Sequence, residues 1–194
     1  LAVSDDDART MKKIVVDEKA AIHYAKTNLK EKAMPTFAFE VSYMYNGKLK
    51  EGWLTNPKYN ATQRYLLCWL WVQAGTNKSR LKYHDIVQIE AMFFEKTDIQ
   101  EYIINIVTAD TDIVKFHTVA SDKRVSLEEK ILQKALDKID EPVGEETYPK
   151  WYLTGRNILS EQPLNIILYR NQLEDLATSH WLVTRKELIN LDKK

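Results

Sequence analysis

The chain has 194 residues, of which 44% are apolar and 29% charged, with 28 basic and 28 acidic side chains. The length suits one domain with a buried core, and the zero net charge argues against a basic coat for nucleic acid or an acidic mimic. A single cysteine excludes a disulfide framework, and no apolar run approaches the ~20 residues that span a bilayer. We therefore expect a soluble intracellular protein of a reducing compartment, the cytoplasm, with no membrane partner. Because the chain begins at Leu1 rather than Met, we expect a tag remnant, a removed presequence or a longer parent protein upstream.

The first predicted elements are a helix and a hairpin. Apolar residues recur at helical spacing between residues 17 and 32, and Pro35 prevents that helix from continuing. Aromatic and apolar residues then alternate with smaller or polar ones over residues 37–45. Asn46 and Gly47 follow, and this dipeptide favours a tight turn because both of its positions need positive φ. The pattern predicts a β-hairpin around them.

The densest apolar stretch of the chain predicts a buried helix. Asn60 and Gln63 resemble a capping box, and Gly75 suits the left-handed position after a helix end, so we place a helix at residues 61–74. This helix would be apolar nearly all round, which indicates burial on several sides. We expect Cys68, in its middle, to be a packing residue and not a nucleophile.

The second half of the chain alternates strand and helix patterns. Residues 84–120 contain three segments rich in β-branched and aromatic residues, which predicts an antiparallel meander. Residues 126–141 predict a capped helix with a charged solvent face. Beyond it, residues 147–155 and 164–170 predict strands, and residues 172–181 predict a short helix.

These elements predict an α+β fold, in which an antiparallel sheet made of the hairpin and the three-stranded meander has helices packed on one face. Residues 141–146 form the best candidate linker. We therefore predict a core domain at residues 1–142 and a C-terminal extension or small subdomain at residues 143–194. The alternative is a single domain over residues 1–194.

One pair of carboxylates suggests a metal site. Asp110 and Asp112 follow an apolar run, and carboxylates at this spacing can share a divalent cation that holds a nucleotide diphosphate. The pair resembles the metal site of some glycosyl- and nucleotidyltransferases, which implies a metal-dependent transferase. The alternative is a hairpin turn in which the same residues form local hydrogen bonds. We expect no cofactor and assign no catalytic residue, because no nucleophile, phosphate-loop or dinucleotide motif accompanies the pair.

Basic and aromatic residues mix at two places along the chain, which suggests a nucleic-acid-binding module. Residues 56–85 carry five basic side chains against one acidic side chain. Basic side chains can follow a phosphate backbone while bases stack on aromatic rings. The alternative is a solvated face beside core aromatics. The candidate contact residues are Arg64, Lys78, Arg80, Lys82, Trp151 and Arg156.

Five tryptophans and ten tyrosines favour a third function, which is protein binding. Tryptophan, tyrosine and arginine are the usual anchors of protein interfaces, and five tryptophans would crowd one modest core. The sequence therefore favours a non-enzymatic interaction or structural subunit, which binds a partner protein or a second copy of itself through an aromatic-rich surface. The nucleic-acid-binding module and the metal-dependent transferase are the alternatives.

Overall fold

The computed structural model describes residues 13–107, 122, 124–125, 150–153 and 161–192, and these residues belong to two compact units. The first unit comprises Leu1–Pro35, Ala61–Ile99 and Arg170–Lys194, and the second comprises Thr36–Asn60 and Gln100–Tyr169. The predicted domain boundary near residue 143 and the predicted helix over residues 126–141 lie outside the described residues.

Nine strands and two α-helices are present in the described part of the chain. In chain order they are β1 (Val16–Ala20), β2 (Thr36–Tyr45), β3 (Lys48–Glu51), β4 (Arg64–Val72), β5 (Ile86–Glu95), α1 (Lys96–Val107), β6 (Lys150–Leu153), β7 (Leu164–Tyr169), α2 (Arg170–Leu176), β8 (Ser179–Thr184) and β9 (Leu188–Asn190). The chain is thus sheet-rich with mixed α and β content, and its strand pairs are mostly antiparallel. The predicted packing of helices on one face is not confirmed. None of the helices in these ranges is long and apolar enough to cross a membrane.

The first unit is built on a five-stranded sheet in the order β1-β4-β5-β8-β9. Its neighbouring strands are antiparallel, except that β1 runs parallel to β4. At the β9 edge, the N–H of Thr184 donates to the Glu187 carbonyl and the N–H of Leu191 donates to the His180 carbonyl. Because hydrogen-bonded pairs alternate in an antiparallel ladder, Leu188 and Asn190 direct their backbone groups away from β8.

The helix predicted at residues 61–74 is wrong, because this segment forms β4 at the centre of the sheet. A strand covered on both faces reads as a continuous apolar run, so its sequence carries no period that separates strand from helix. Asn60 instead follows a short 3-10 turn at Pro57–Tyr59, which Asn56 caps. Gly75 has a φ of 83°, as predicted for a left-handed position, but it lies in the turn after a strand.

The helix predicted at residues 17–32 is also wrong, because this segment begins as β1 and continues as a 3-10 turn at Ile22–Tyr24. Backbone hydrogen bonds to β4 replace those of a helix. The N–H of Lys26 donates to the Leu70 carbonyl over 2.9 Å, and the Lys26 carbonyl accepts from the N–H of Val72 over 2.8 Å. Pairing with a distant strand thus overrides the local helical pattern.

Only part of the predicted meander agrees with the structure. Its first strand is confirmed as β5, but its second segment forms the helix α1 and not a strand. Ile103 and Ile104 of this segment are buried, so packing of the helix accounts for apolar residues that suggested a strand. The third segment of the meander lies outside the described residues.

The second unit contains a four-stranded antiparallel sheet in the order β3-β2-β7-β6. The predicted hairpin is confirmed, with φ of 50° at Asn46 and 70° at Gly47 in the turn between β2 and β3. The segments predicted as strands at residues 147–155 and 164–170 contain β6 and β7, although the ends of the first segment lie outside the described residues. The predicted short helix begins two residues earlier, as α2, and the chain returns to a strand at Ser179.

Candidate binding cleft of the first unit

The strand register of the first unit brings polar and aromatic side chains onto one face of its sheet. Trp69 of β4 pairs with Glu90 of β5, and Glu90 pairs with Leu182 of β8. Two residues further along β4, Trp71 pairs with Gln88. Because cross-strand partners share a face and successive residues alternate, these side chains lie together on the same side of the sheet.

An open cleft of about 660 Å³ lies over this face, and we call it the Glu90 cleft. Its volume falls within the range of protein sites that bind small molecules or side chains. It is lined by Lys32, Ala33, Pro35, Trp71, Gln88, Glu90, Arg170, Glu174, Leu182 and Leu191. The cleft therefore combines an apolar wall with charged groups from three separate segments of the chain.

A buried carboxylate forms the floor of the Glu90 cleft. Glu90 is 6% exposed, and its Oε1 is bound by Nη2 of Arg170 and lies 2.6 Å from Nε2 of His180. Arg170 also donates from Nε to Oε1 of Glu174 over 2.9 Å. A buried carboxylate needs such partners, because an uncompensated charge inside a protein costs several kcal/mol.

Further contacts fix the groups that surround Glu90. The backbone N–H of Arg170 donates to the Pro35 carbonyl over 2.7 Å, and its guanidinium lies 5.7 Å from the centre of the Trp69 ring. Cation–π contact of this kind favours one position of the guanidinium. The backbone N–H of His180 donates to Oδ1 of Asp192 over 2.6 Å. The backbone N–H groups of Arg170 and His180 are thus both hydrogen-bonded, which holds the two residues that contact Glu90.

The walls of the cleft differ in burial and charge. Trp71 is buried and donates from its indole Nε1 to the Glu31 carbonyl over 3.1 Å, which fixes its ring. Lys32, in contrast, is exposed at the rim. Among the described residues no ion pair involves Lys32. Lys32 is therefore the charged lining residue that is left to interact with a bound molecule.

The structure brings together only part of the predicted nucleic-acid site. Lys78, Arg80 and Lys82 lie close in sequence just after β4, on and beside a 3-10 turn at Lys78–Arg80. Arg64 lies at the opposite end of β4, where its Nε is 2.6 Å from Oε1 of Glu95. Nine strand residues separate these ends by roughly 25–30 Å.

The other predicted residues lie elsewhere. Trp151 is on β6 in the second unit, and Arg156, Asp110 and Asp112 lie outside the described residues. The metal-dependent transferase therefore stays a prediction. Within the described ranges no group of three or more His, Cys, Asp and Glu side chains could hold a metal ion. Of the tryptophans, Trp69 and Trp71 are buried and the other three are half-buried.

Sequence reasoning missed the charged floor of the cleft, because its members are far apart in the chain. Arg170 lies 80 residues from Glu90, and His180 lies 90 residues from it. The one local signal is a glutamate inside the apolar strand β5, where a charge needs a partner.

No family model matches this chain, and comparisons with curated proteins and with solved structures also give no match. We therefore base the functional proposal on the geometry of the cleft.

Proposed function

We propose that this chain is a non-enzymatic binding protein, and that the Glu90 cleft binds a segment of a partner protein. The observation that carries the proposal is the buried Glu90 carboxylate, which Arg170 and His180 hold at the floor of an open cleft. A floor that is already ordered loses little conformational freedom when a partner binds, which favours affinity. The hydrogen bonds that Glu90 accepts support a role for this residue in shaping the cleft.

The lining indicates which kind of segment would bind. Trp71, Leu182 and Leu191 supply apolar surface, on which an aliphatic or aromatic side chain can be buried. The two carboxylates of the floor already accept hydrogen bonds from Arg170, whereas Lys32 at the rim is unmatched in the described part of the chain. The complementary segment therefore combines an apolar anchor with a nearby carboxylate.

A selection from a random peptide library displayed on phage tests this proposal. We expect the full chain to enrich peptides in which an apolar residue lies next to Asp or Glu. The Lys32→Glu variant should reverse the charge preference, because like charges at the rim repel and a basic residue then becomes complementary. Enrichment of the same peptides by both proteins would contradict the assignment of Lys32.

Two aspartate substitutions provide a matched comparison. Leu191 lines the cleft and is 36% exposed, whereas Leu49 on β3 of the second unit is 44% exposed. Leu191→Asp should weaken binding of the selected peptides by about tenfold or more, because it places a charge on an apolar wall. Leu49→Asp should leave binding unchanged. Equal loss in both variants, with unfolding temperatures unaltered, would place the binding surface outside the cleft.

A further inference from the structure

A second surface of the first unit, which shares no residue with the lining of the Glu90 cleft, combines basic and aromatic side chains. We call it the Tyr83 surface, and it consists of Tyr24, Lys78, Arg80, Lys82, Tyr83 and Arg185. Residues 73–86 contain three basic side chains and one acidic side chain. The surface is therefore locally positive in a chain whose total charge is zero.

Short turns hold these residues close to one another. The turn at Ile22–Tyr24 contacts the turn at Lys78–Arg80, and Nζ of Lys78 donates to the His23 carbonyl over 3.5 Å. On the other side, the guanidinium of Arg185 donates to the carbonyl of His84. Segments that are distant in sequence thus contribute to one surface.

Two basic side chains of this surface are available to contact an anion. Arg80 and Lys82 are exposed, and neither forms an ion pair with another described residue. The nearest acidic residue in sequence, Asp85, accepts a hydrogen bond at Oδ2 from the backbone N–H of Lys82 over 2.9 Å. Asp85 keeps its negative charge in this bond, but its side chain is only 21% exposed, so the basic side chains outweigh it at the surface.

The aromatic rings of this surface are unusually accessible. Tyr83 is 87% exposed, and Tyr24 is 61% exposed. The rings of Tyr83 and His84 meet edge to face, with ring centres 5.3 Å apart and planes at 80°. An exposed ring among basic side chains provides a stacking surface for a nucleobase, while the cations contact adjacent phosphates.

We propose that the Tyr83 surface binds single-stranded nucleic acid, with Arg80 and Lys82 on the phosphates and Tyr83 stacked on a base. An exposed aromatic ring favours a single strand over a duplex, because the bases of a duplex are already stacked on one another. The proposal does not depend on the Glu90 cleft, since peptide binding at the cleft and oligonucleotide binding here are separate measurements on separate variants.

Fluorescence anisotropy with a labelled single-stranded oligonucleotide of about 20 nucleotides tests the proposal. We expect binding at low salt, with affinity that falls as salt rises and with weaker binding of a duplex of the same length. Tyr83→Ala should weaken binding by about tenfold. The double variant Arg80→Gln, Lys82→Gln should lower the slope of log affinity against log salt by about 1.4, because each lost phosphate contact accounts for about 0.7.

The hairpin of the second unit supplies a matched control. Tyr45 is 55% exposed, and Lys48 and Lys50 are exposed beside it, so one exposed tyrosine and two basic side chains occur there as well. The triple variant Tyr45→Ala, Lys48→Gln, Lys50→Gln should leave binding unchanged. The proposal is overturned if the single strand does not bind at low salt, or if the control variant loses as much affinity as the Tyr83 variant. Equal binding of heparin and of the oligonucleotide, with no effect of Tyr83→Ala, would also overturn it.

Discussion

Cys68 shows how strand pairing changes the chemistry of one residue. It lies in β4, paired across β1 with Ala20, and it is half-buried. Burial, together with a smaller effect of the carboxylate of Glu18 on β1, raises the pKa of its thiol from 9.0 to about 11. The neutral thiol is therefore favoured in the folded chain, which agrees with the expected packing role.

This pKa shift predicts a loss of stability at high pH. Between pH 9 and 11 the unfolded chain releases the thiol proton while the folded chain keeps it, so the free energy of unfolding falls as pH rises. The decrease is at most about 1.4 kcal/mol per pH unit. Urea denaturation of the natural chain and of Cys68→Ala at pH 8, 9 and 10 measures it, because the contributions of other groups cancel. Parallel pH curves for the two proteins would contradict the prediction.

Gly52 shows a different constraint, which is close backbone packing in the second unit. Its N–H donates to the Val41 carbonyl over 2.7 Å, and its carbonyl accepts from the N–H groups of Thr55 and Asn56. A Cβ atom at Gly52 would lie 2.4 Å from the Glu40 carbonyl oxygen, well inside van der Waals contact. The backbone here can approach so closely only without a side chain.

We therefore expect Gly52→Ala to lower the free energy of unfolding by about 3 kcal/mol, since backbone atoms must move to relieve the contact. Gly47→Ala is the comparison, because Gly47 has positive φ but open space around it. That variant should lose about 1 kcal/mol from backbone strain alone. Thermal denaturation of both variants measures the difference, and an equal loss would show that the strand accommodates the methyl group.

At the scale of elements, the ion pair between Arg170 and Glu90 connects the helix α2 to strand β5. Glu95 lies on the same strand and forms an ion pair with Arg64, but both of those side chains are about one third exposed. Exposed pairs contribute little, because water and salt screen their charges. Buried pairs matter more when broken, because the remaining charge is left uncompensated.

Glu90→Ala should therefore lower the free energy of unfolding by about 3 kcal/mol, because it leaves Arg170 and His180 without their shared carboxylate. Glu95→Ala should cost only about 0.5 kcal/mol. Urea denaturation in low and high salt distinguishes the two, since salt should reduce the Glu95 effect and not the Glu90 effect. Similar losses in both variants would mean that water reaches the cleft floor.

Elements with local signals could be predicted from the sequence, and those set by distant partners could not. The turn at Asn46 and Gly47 was predictable because its positive φ values depend on those two residues alone. β4 was mistaken for a helix because its residues are apolar without alternation, and residues 69–72 are all buried. The Tyr83 surface was partly predictable, since Lys78, Arg80 and Lys82 are close in sequence. The floor of the Glu90 cleft was not, because only the fold brings its residues together.

At the scale of the whole molecule, the first unit depends on chain segments that are far apart. Its five-stranded sheet takes β8 and β9 from the segment after residue 170, and β8 covers the edge of β5. Without that segment, β5 would be an edge strand with unpaired backbone groups. Glu90 would also lose Arg170 and His180, which both contact its Oε1.

A chain that ends at residue 169 should therefore fail to form the first unit. We expect it to bind a hydrophobic dye and to lose a cooperative unfolding transition, because β4 and β5 expose apolar side chains. A chain that ends at Thr184 keeps β8 and removes only β9 and the residues around it. This second truncation should retain cooperative unfolding. Calorimetry of both chains shows whether each has a cooperative unfolding transition. Native-like unfolding of the shorter chain would contradict the assignment of β8 to the sheet.

The nested order of the two units has a consequence on the ribosome. Every residue of the second unit is translated before Arg170, whereas the first unit still awaits β8. At synthesis rates of 5–20 residues per second, the interval between Glu95 and Ser179 lasts roughly 4–17 s. During that interval β4 and β5 are already made but their sheet is incomplete. For those seconds the β8 side of β5 has no partner strand, and Glu90 has neither Arg170 nor His180 beside it.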